Sequence, residues 1–207
     1  MARLLLVRHG TTKLHAPDRF WGSTDVALSD AGIRQAERLR DRLKDEGIKA
    51  VFSSALSRAR LTADVIAAAC DLTVTVDPSL NECNFGYTEG LTFTEIQKKY
   101  PDLAELLLGF HMDTAFPGGE SLTEFDARVQ KFLPALEKFK SRDTVLIVAH
   151  GGTLPLLTCH LLDLPTKAWR QLRMSQGSLS IVETFPQGAV LTLLNDTSHF
   201  KPAVKDP

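Results

Sequence analysis

Leu4-Leu5-Leu6-Val7-Arg8-His9-Gly10 near the start of the chain, and Thr144-Val145-Leu146-Ile147-Val148-Ala149-His150-Gly151-Gly152 far along it, decide the fold. Each begins as a short unbroken apolar run, the mark of a strand covered on both faces. Each ends in a histidine followed by glycine, which lets the backbone turn. Strand patterns alternating with helical ones predict an α/β protein with a largely parallel sheet between helices. Both histidines then fall beyond the carboxyl ends of their strands, where such sheets hold ligands.

Working outward, Ser29 is a plausible N-cap for a helix running to Glu46, with Gly47 as its stop and Ile33, Ala36, Leu39 and Leu43 on its apolar face. Val51-Phe52 is the next strand. Leu61, Val65, Ala68 and Ala69 mark a helix to about Cys70, and Thr73 to Val76 reads as a strand ended by Asp77-Pro78. Leu80 to Gly90 reads as a loop, and Thr92–Tyr100 and Leu103–Phe110 as two short helices broken at Pro101. Leu122, Phe125, Val129, Phe132, Leu133, Leu136 and Phe139 form one stripe of about five turns. It opens on a Ser121-x-x-Glu124 capping box and carries Pro134, which predicts a kink. A helix over Leu154–Leu162 follows, and Ser178–Thr184 with Ala189–Leu194 forms a closing strand pair around Pro186-Gln187-Gly188. Ser198 to Pro207 is polar and expected to be mobile.

The 207 residues suit one domain over 1–207 with a helical lid at about 91–121, and no repeat or low-complexity stretch interrupts them. With 24 Lys and Arg against 25 Asp and Glu, nothing draws the chain globally to nucleic acid or an acidic membrane, so an anion site must be a local cluster. Cys70, Cys83 and Cys159 are odd in number, widely spaced and free of any CxxC, which argues against disulfides and structural zinc. The apolar run Leu4–Val7 is too short for a secretory leader, and no run approaches a membrane span. These features predict a soluble, cytoplasmic protein whose partner is a small molecule.

Taken by themselves, Arg8-His9-Gly10 and His150-Gly151-Gly152 set two histidines and a fixed cation at neighbouring strand ends. That set fits phosphate binding or a metal site. The metal reading lacks HExxH, ligand-spaced acids and any Cys/His cluster. Each residue also has a plain structural reading: Arg58 as an exposed helical arginine, Glu82 as an ordinary loop glutamate, His150 as a satisfied strand-end histidine.

The ordered series Leu5-Leu6-Val7-Arg8-His9-Gly10-Thr11-Thr12, Leu28-Ser29-Asp30-Ala31-Gly32, Ser53-Ser54-Ala55-Leu56-Ser57-Arg58-Ala59, Leu80-Asn81-Glu82 with Phe85-Gly86 and Glu89-Gly90, Pro117-Gly118-Gly119-Glu120-Ser121, and Val148-Ala149-His150-Gly151-Gly152 resembles the histidine phosphatase superfamily, the phosphoglycerate mutase-like family, over roughly residues 3–185. The resemblance implies a three-layer α/β/α fold and phosphohistidine chemistry with no metal or other cofactor. It casts His9 as nucleophile, Glu82 as proton donor and acceptor, and Arg8, Arg58 and His150 as ligands of the phosphoryl oxygens. Paired arginines suit that task because guanidinium forks meet phosphate in a bidentate way. Thr12 and Gly151 stand in the matched motifs and are placed at the phosphate with them. Two positions depart from the family: Thr11, often acidic or amide there, and His15, where an asparagine is usual. Imidazole can donate the same bond, so His15 is a candidate phosphate ligand.

Family members divide into mutases, which hold a second anionic end, and phosphatases. Residues 61–127 contain no arginine, and the chain is shorter than is usual for those mutases, so phosphatase is the better reading, with a lid that rejects a second phosphate. The segment Leu103–Met112 with Phe116 could line a pocket or simply pack the core; Phe20, Trp21 and Tyr87 are further wall candidates. An apolar wall favours α-ribazole 5′-phosphate, the substrate of the family's cobalamin-pathway branch. Phosphoserine, sugar phosphates and broad specificity are the alternatives, then phosphoglycerate mutase, then a non-catalytic phosphate-binding protein. Oligomeric state is not legible.

Overall fold

The computed structural model describes residues 2–14, 18–109, 111–140 and 142–200. Six strands form one sheet in the order β3-β2-β4-β1-β5-β6: β1 (Ala2–Arg8), β2 (Ile48–Ser53), β3 (Val74–Val76), β4 (Asp143–Ala149), β5 (Leu179–Phe185) and β6 (Gly188–Asp196). The first four run parallel; β5 pairs antiparallel with β1, and β6 with β5. The expected mainly parallel sheet is therefore present, with an antiparallel hairpin closing one edge.

Alternation along the central strands builds the layers, because successive side chains leave a strand on opposite faces. Leu4, Leu6, Val145 and Ile147 enter one core, and Leu5, Val7, Leu146 and Val148 enter the other. The second core is covered by α1 (Asp30–Leu43) and α2 (Ser57–Ala68) through Leu39, Leu43, Ala63 and Ile66. The first is covered by α3 (Phe93–Lys99), α4 (Pro101–Leu108), α5 (Leu122–Gln130) and α6 (Thr153–Leu161). Ile96, Leu103, Ala104, Leu107 and Phe116 all lie in that core, so Leu103, Ala104 and Leu107 of the Leu103–Met112 segment, with Phe116, pack against it.

Local chemistry sets the element ends. Ser29 caps α1 by accepting from the Gly32 N–H, and Thr92 with Glu95 and Ser121 with Glu124 both close full capping boxes. Ile33 lies exposed at 37%, and Gly32 takes its place on the buried face of α1. The expected kink at Pro134 is instead a break. Proline cannot donate to the Gln130 carbonyl four residues back and its ring collides there, so α5 stops at Gln130 and the chain continues as a 3-10 turn over Leu133–Leu136. Ser198–Phe200 form a short 3-10 turn; the rest of the closing segment lies outside the described residues.

A contact between Gly10 and Gly32 binds the loop after β1 to α1. A Cβ on Gly10 would fall 2.5 Å from the Gly32 carbonyl oxygen, and one on Gly32 would overlap the Thr11 carbonyl oxygen. Both obstacles are backbone and cannot swing away. Gly32→Ala is expected to lower the unfolding free energy by about 1–3 kcal/mol, read by urea denaturation. A loss below a few tenths would show that the loop after β1 moves freely of α1.

Candidate active site

β1 and β4 are neighbours in register, with Arg8 opposite Ala149, and the His9 N–H continues the ladder onto the Ala149 carbonyl at 3.1 Å. His9 and His150 therefore leave adjacent strand ends side by side, with ring centroids 5.0 Å apart. Both are buried. His9 Nδ1 lies 2.7 Å from the Gly10 carbonyl oxygen. A carbonyl only accepts, so Nδ1 carries the proton and Nε2 keeps its lone pair. Burial, together with the guanidinium groups of Arg8 and Arg58, holds the His9 pKa well below the usual histidine range.

Among the described residues, neither buried guanidinium pairs with a carboxylate. Arg8 donates from Nη1 to the Met174 carbonyl at 2.7 Å, and its buried Nε has no partner among the described residues. Arg58 donates to the carbonyls of Thr24 (2.9 Å) and Gly22 (2.6 Å). That carbonyl loop is held in turn by Glu89, which accepts from the Ser23 and Thr24 N–H groups at 2.7 Å. Gly151 allows Arg8 its place, since a Cβ there would come within 2.7 Å of the guanidinium carbon.

The Glu82 carboxylate accepts from the Gly152 N–H at 2.9 Å, at the start of α6, and from its neighbour Cys83 at 3.0 Å. Its loop hangs on Arg128 of α5. This guanidinium donates to the carbonyls of Ser79, Asn81 and Glu82 at 3.1, 2.9 and 3.1 Å, and pairs with Glu120 at 2.6 Å. Nothing in the motifs singles out Arg128; a lone arginine amid the Phe125-Val129-Phe132 stripe is the available signal. Glu120 is bound to this structural task.

Two chambers open over these groups, sharing Arg8, Arg19, Trp21 and Glu82. The first, about 280 Å³, is lined also by His9, Thr12, Arg58, Arg173, Ser175 and Gln176. The second, about 340 Å³, has an aromatic wall of Phe20, Trp21, Phe85, Phe125 and Trp169, and Gly151 at its edge. So the structure brings together His9, Arg8, Arg58, Glu82, Thr12 and Gly151, with the His150 ring beside His9 and tilted 60° to it; His15 lies outside the described residues. Tyr87 is 71% exposed and takes no part in either wall.

Arg19 and Arg173 correct the inference drawn from the arginine-free stretch. They come from outside residues 61–127 and give the first chamber four arginines against one carboxylate, Glu82. Arg19 is paired with Glu95 at 2.9 Å, whereas Arg173 makes no hydrogen bond or ion pair with the described residues. Their contribution to the pocket was invisible in sequence because both precede or follow the matched motifs by several residues. Among the described residues no group of three or more His, Cys, Asp or Glu could hold a metal, and no helix is long and apolar enough to cross a membrane.

Comparison with known proteins places the chain in a family. The profile of the histidine phosphatase superfamily (branch 1) matches residues 4–197. A Yersinia pestis protein named "probable phosphoglycerate mutase GpmB" is 34% identical over 204 residues, covering 96% of this chain and 95% of its own. The crystal structure of the α-ribazole phosphatase from Shigella flexneri has a TM-score of 0.86 at 29% identity, covering 94% of this chain and 96% of that one. A phosphoserine phosphatase mutant from Entamoeba histolytica, in complex with phosphoserine, has a TM-score of 0.84 at 26% identity, covering 97% and 100%.

The neutral His9 couples the site to stability. Its folded pKa lies well below 6.5, so in acid the unfolded chain binds a proton that the folded chain refuses. Stability must then fall as pH drops through the unfolded value, by about 1.4 kcal/mol per pH unit for this one proton. His9→Gln should flatten the decline between pH 6 and 5 by that amount in denaturant titrations. Equal slopes for the two proteins would mean that His9 is already charged in the fold.

Proposed function

The chain belongs to the histidine phosphatase superfamily, and from that premise we propose that it is a phosphomonoesterase acting through a phosphohistidine on His9. The observation that carries this reading is the His9 ring: its Nδ1 proton is fixed on Gly10, which leaves the lone pair on Nε2, and the guanidinium groups of Arg8 and Arg58, held by carbonyls, line the same chamber. The phosphatases among the similar structures support phosphatase activity.

In the first step Nε2 attacks phosphorus, the ester P–O bond breaks, and Glu82 gives its proton to the departing alkoxide. In the second, the Glu82 carboxylate takes a proton from water, whose oxygen displaces His9 from phosphorus and releases inorganic phosphate. Arg8 and Arg58 hold the equatorial oxygens through both steps. Little else is required, since phosphoryl transfer is mostly positioning and charge stabilisation. Thr12 lines the same chamber as a hydroxyl donor, Gly151 leaves room for Arg8, and His15 is assigned to the phosphate as well. The whole chain acts as one domain in which the segment at 91–121 backs the aromatic wall: Phe116 packs edge-on to Phe85 (4.9 Å), and Phe85 to Phe20 (5.3 Å).

For the substrate, Glu82 borders both chambers, so a leaving group protonated by it can extend into the aromatic one. A phosphomonoester with a flat apolar end, with α-ribazole 5′-phosphate the leading candidate, fits that wall. Arg173, which has no partner among the described residues, favours a second reading, in which the organic part carries a carboxylate, as in phosphoserine or phosphoglycerate.

Hydrolysis of p-nitrophenyl phosphate is expected in the presence of EDTA, with an acid-labile, base-stable phosphoprotein that His9→Ala abolishes. Glu82→Gln should slow turnover about 10²- to 10⁴-fold. Turnover that survives His9→Ala would overturn the phosphohistidine. Across a substrate panel, kcat/KM for α-ribazole 5′-phosphate should exceed that for phosphoserine and 3-phosphoglycerate at least tenfold and be unmoved by Arg173→Gln. The opposite order, with a tenfold loss on the carboxylates in Arg173→Gln, would establish the second reading.

A further inference from the structure

His150 and His9 stand next to each other, yet their protons are fixed in opposite ways. His150 Nε2 lies 2.8 Å from the hydroxyl of Ser54, a residue with no exposed surface. That hydroxyl also accepts the Leu56 N–H at 3.1 Å and contacts Asn81 Oδ1 at 2.8 Å. Asn81 Oδ1 accepts the Ala55 N–H at 2.8 Å as well, which identifies it as the oxygen of the amide and not the nitrogen. The directions follow one from another. Asn81 Oδ1 can only accept, so Ser54 must donate to it. Its single proton spent, the hydroxyl can only accept from His150, so Nε2 carries the His150 proton.

The other nitrogen, Nδ1, is buried and has no partner among the described residues. As long as His150 is neutral, Nδ1 is a lone pair, which repels a phosphate oxygen. We infer that Ser54 and Asn81 are positioning residues that hold His150 with its proton on Nε2, so that Nδ1 engages an anion only by taking up a proton from solvent as the anion binds. The inference rests on the phosphate reading of the site. The product is imidazolium, Nδ1–H facing the anion and Nε2–H still on Ser54, and the charge brought by the ligand is offset by one proton.

The surroundings agree. The charged and titratable groups around His150 are Arg58 from α2, Arg8 and the neutral His9 from the end of β1, and Arg128 from α5, with Glu82 bonded to Gly152 two residues along. Burial and the cationic neighbours hold empty His150 well below the usual histidine range. An arriving dianion reverses the sign of that local field, and linkage then demands that binding weaken as pH rises.

Sulfate is the probe, because it stays a dianion and brings no proton of its own. Its Kd should rise about tenfold between pH 7 and 8 in the unaltered protein, the signature of one proton taken up, and should do so in His9→Gln but not in His150→Gln. A flat profile, or a slope lost with His9 instead of His150, overturns the inference. Side-chain ¹H–¹⁵N spectra of the ligand-free protein at pH 8 should show His150 protonated at Nε2; a proton on Nδ1 overturns it without reference to any ligand. In Ser54→Ala the tautomer should become mixed and sulfate bind about tenfold more weakly. Asn81→Leu frees the Ser54 hydroxyl to donate and should shift the proton towards Nδ1. A tautomer unchanged in either folded variant overturns the relay. Absence of phosphatase turnover alongside the expected tautomer and slope would instead count against the proposed function alone.

Discussion

The pairing of β1 with β4 is the constraint from which the site follows. Their parallel register sets Arg8 against Ala149 and carries His9 and His150 off the sheet as neighbours. A shift of β1 by one residue against β4 would send Leu4 and Leu6 to the wrong core. Hydrophobic sorting between two helix layers thus fixes the spacing of two imidazoles, and the chemistry inherits a precision that surface loops alone do not supply. The glycines at Gly10 and Gly151 complete this arrangement by letting backbone and guanidinium approach where any side chain would intrude.

A second constraint is electrostatic. Burying an arginine costs several kcal/mol of solvation, normally recovered from a carboxylate partner. Arg8 and Arg58 recover it from neutral carbonyls instead, those of Met174, Gly22 and Thr24. Carbonyls satisfy the N–H groups without cancelling the charge, so the positive potential stays in the chamber for an anion. This is why a chain of net charge −1 can present a strongly cationic cavity. It also explains Glu89 and Asp25, which bond to the loop and helix around Arg58 and leave its guanidinium unpaired.

Much of this was legible in the sequence. Apolar runs with abrupt polar ends revealed β1 and β4, and cap chemistry revealed α1 and α5, because those signals are local. Arg58 could be assigned a role only through the ordered motifs; its position in the first turn of α2 is that of any exposed helical arginine, and the burial that distinguishes it depends on carbonyls more than thirty residues away. Arg173 and Arg128 escaped for the same reason, as did Trp169 and Phe125 in the aromatic wall. The α5 stripe overextends the helix because the hydrophobic period persists through Phe139 while the α-helical ladder stops at Gln130 and gives way to 3-10 bonds. Pattern reports which face is buried; it does not report whether the ladder beneath it is intact.

The two histidines differ in how securely their protons are held. His9 donates to a main-chain carbonyl one residue away, an acceptor that no substitution can remove. His150 depends on two side chains from separate segments, Ser54 after β2 and Asn81 beside Glu82. The His9 tautomer is therefore built into the backbone, while that of its neighbour is a property of the Asn81-Glu82 loop. Arg128 holds that loop through the Asn81 and Glu82 carbonyls, so the group that places the carboxylate also places the amide that orients His150. One guanidinium thereby sets the geometry of the Glu82 carboxyl and of the Asn81 amide together, and neither can drift without the other.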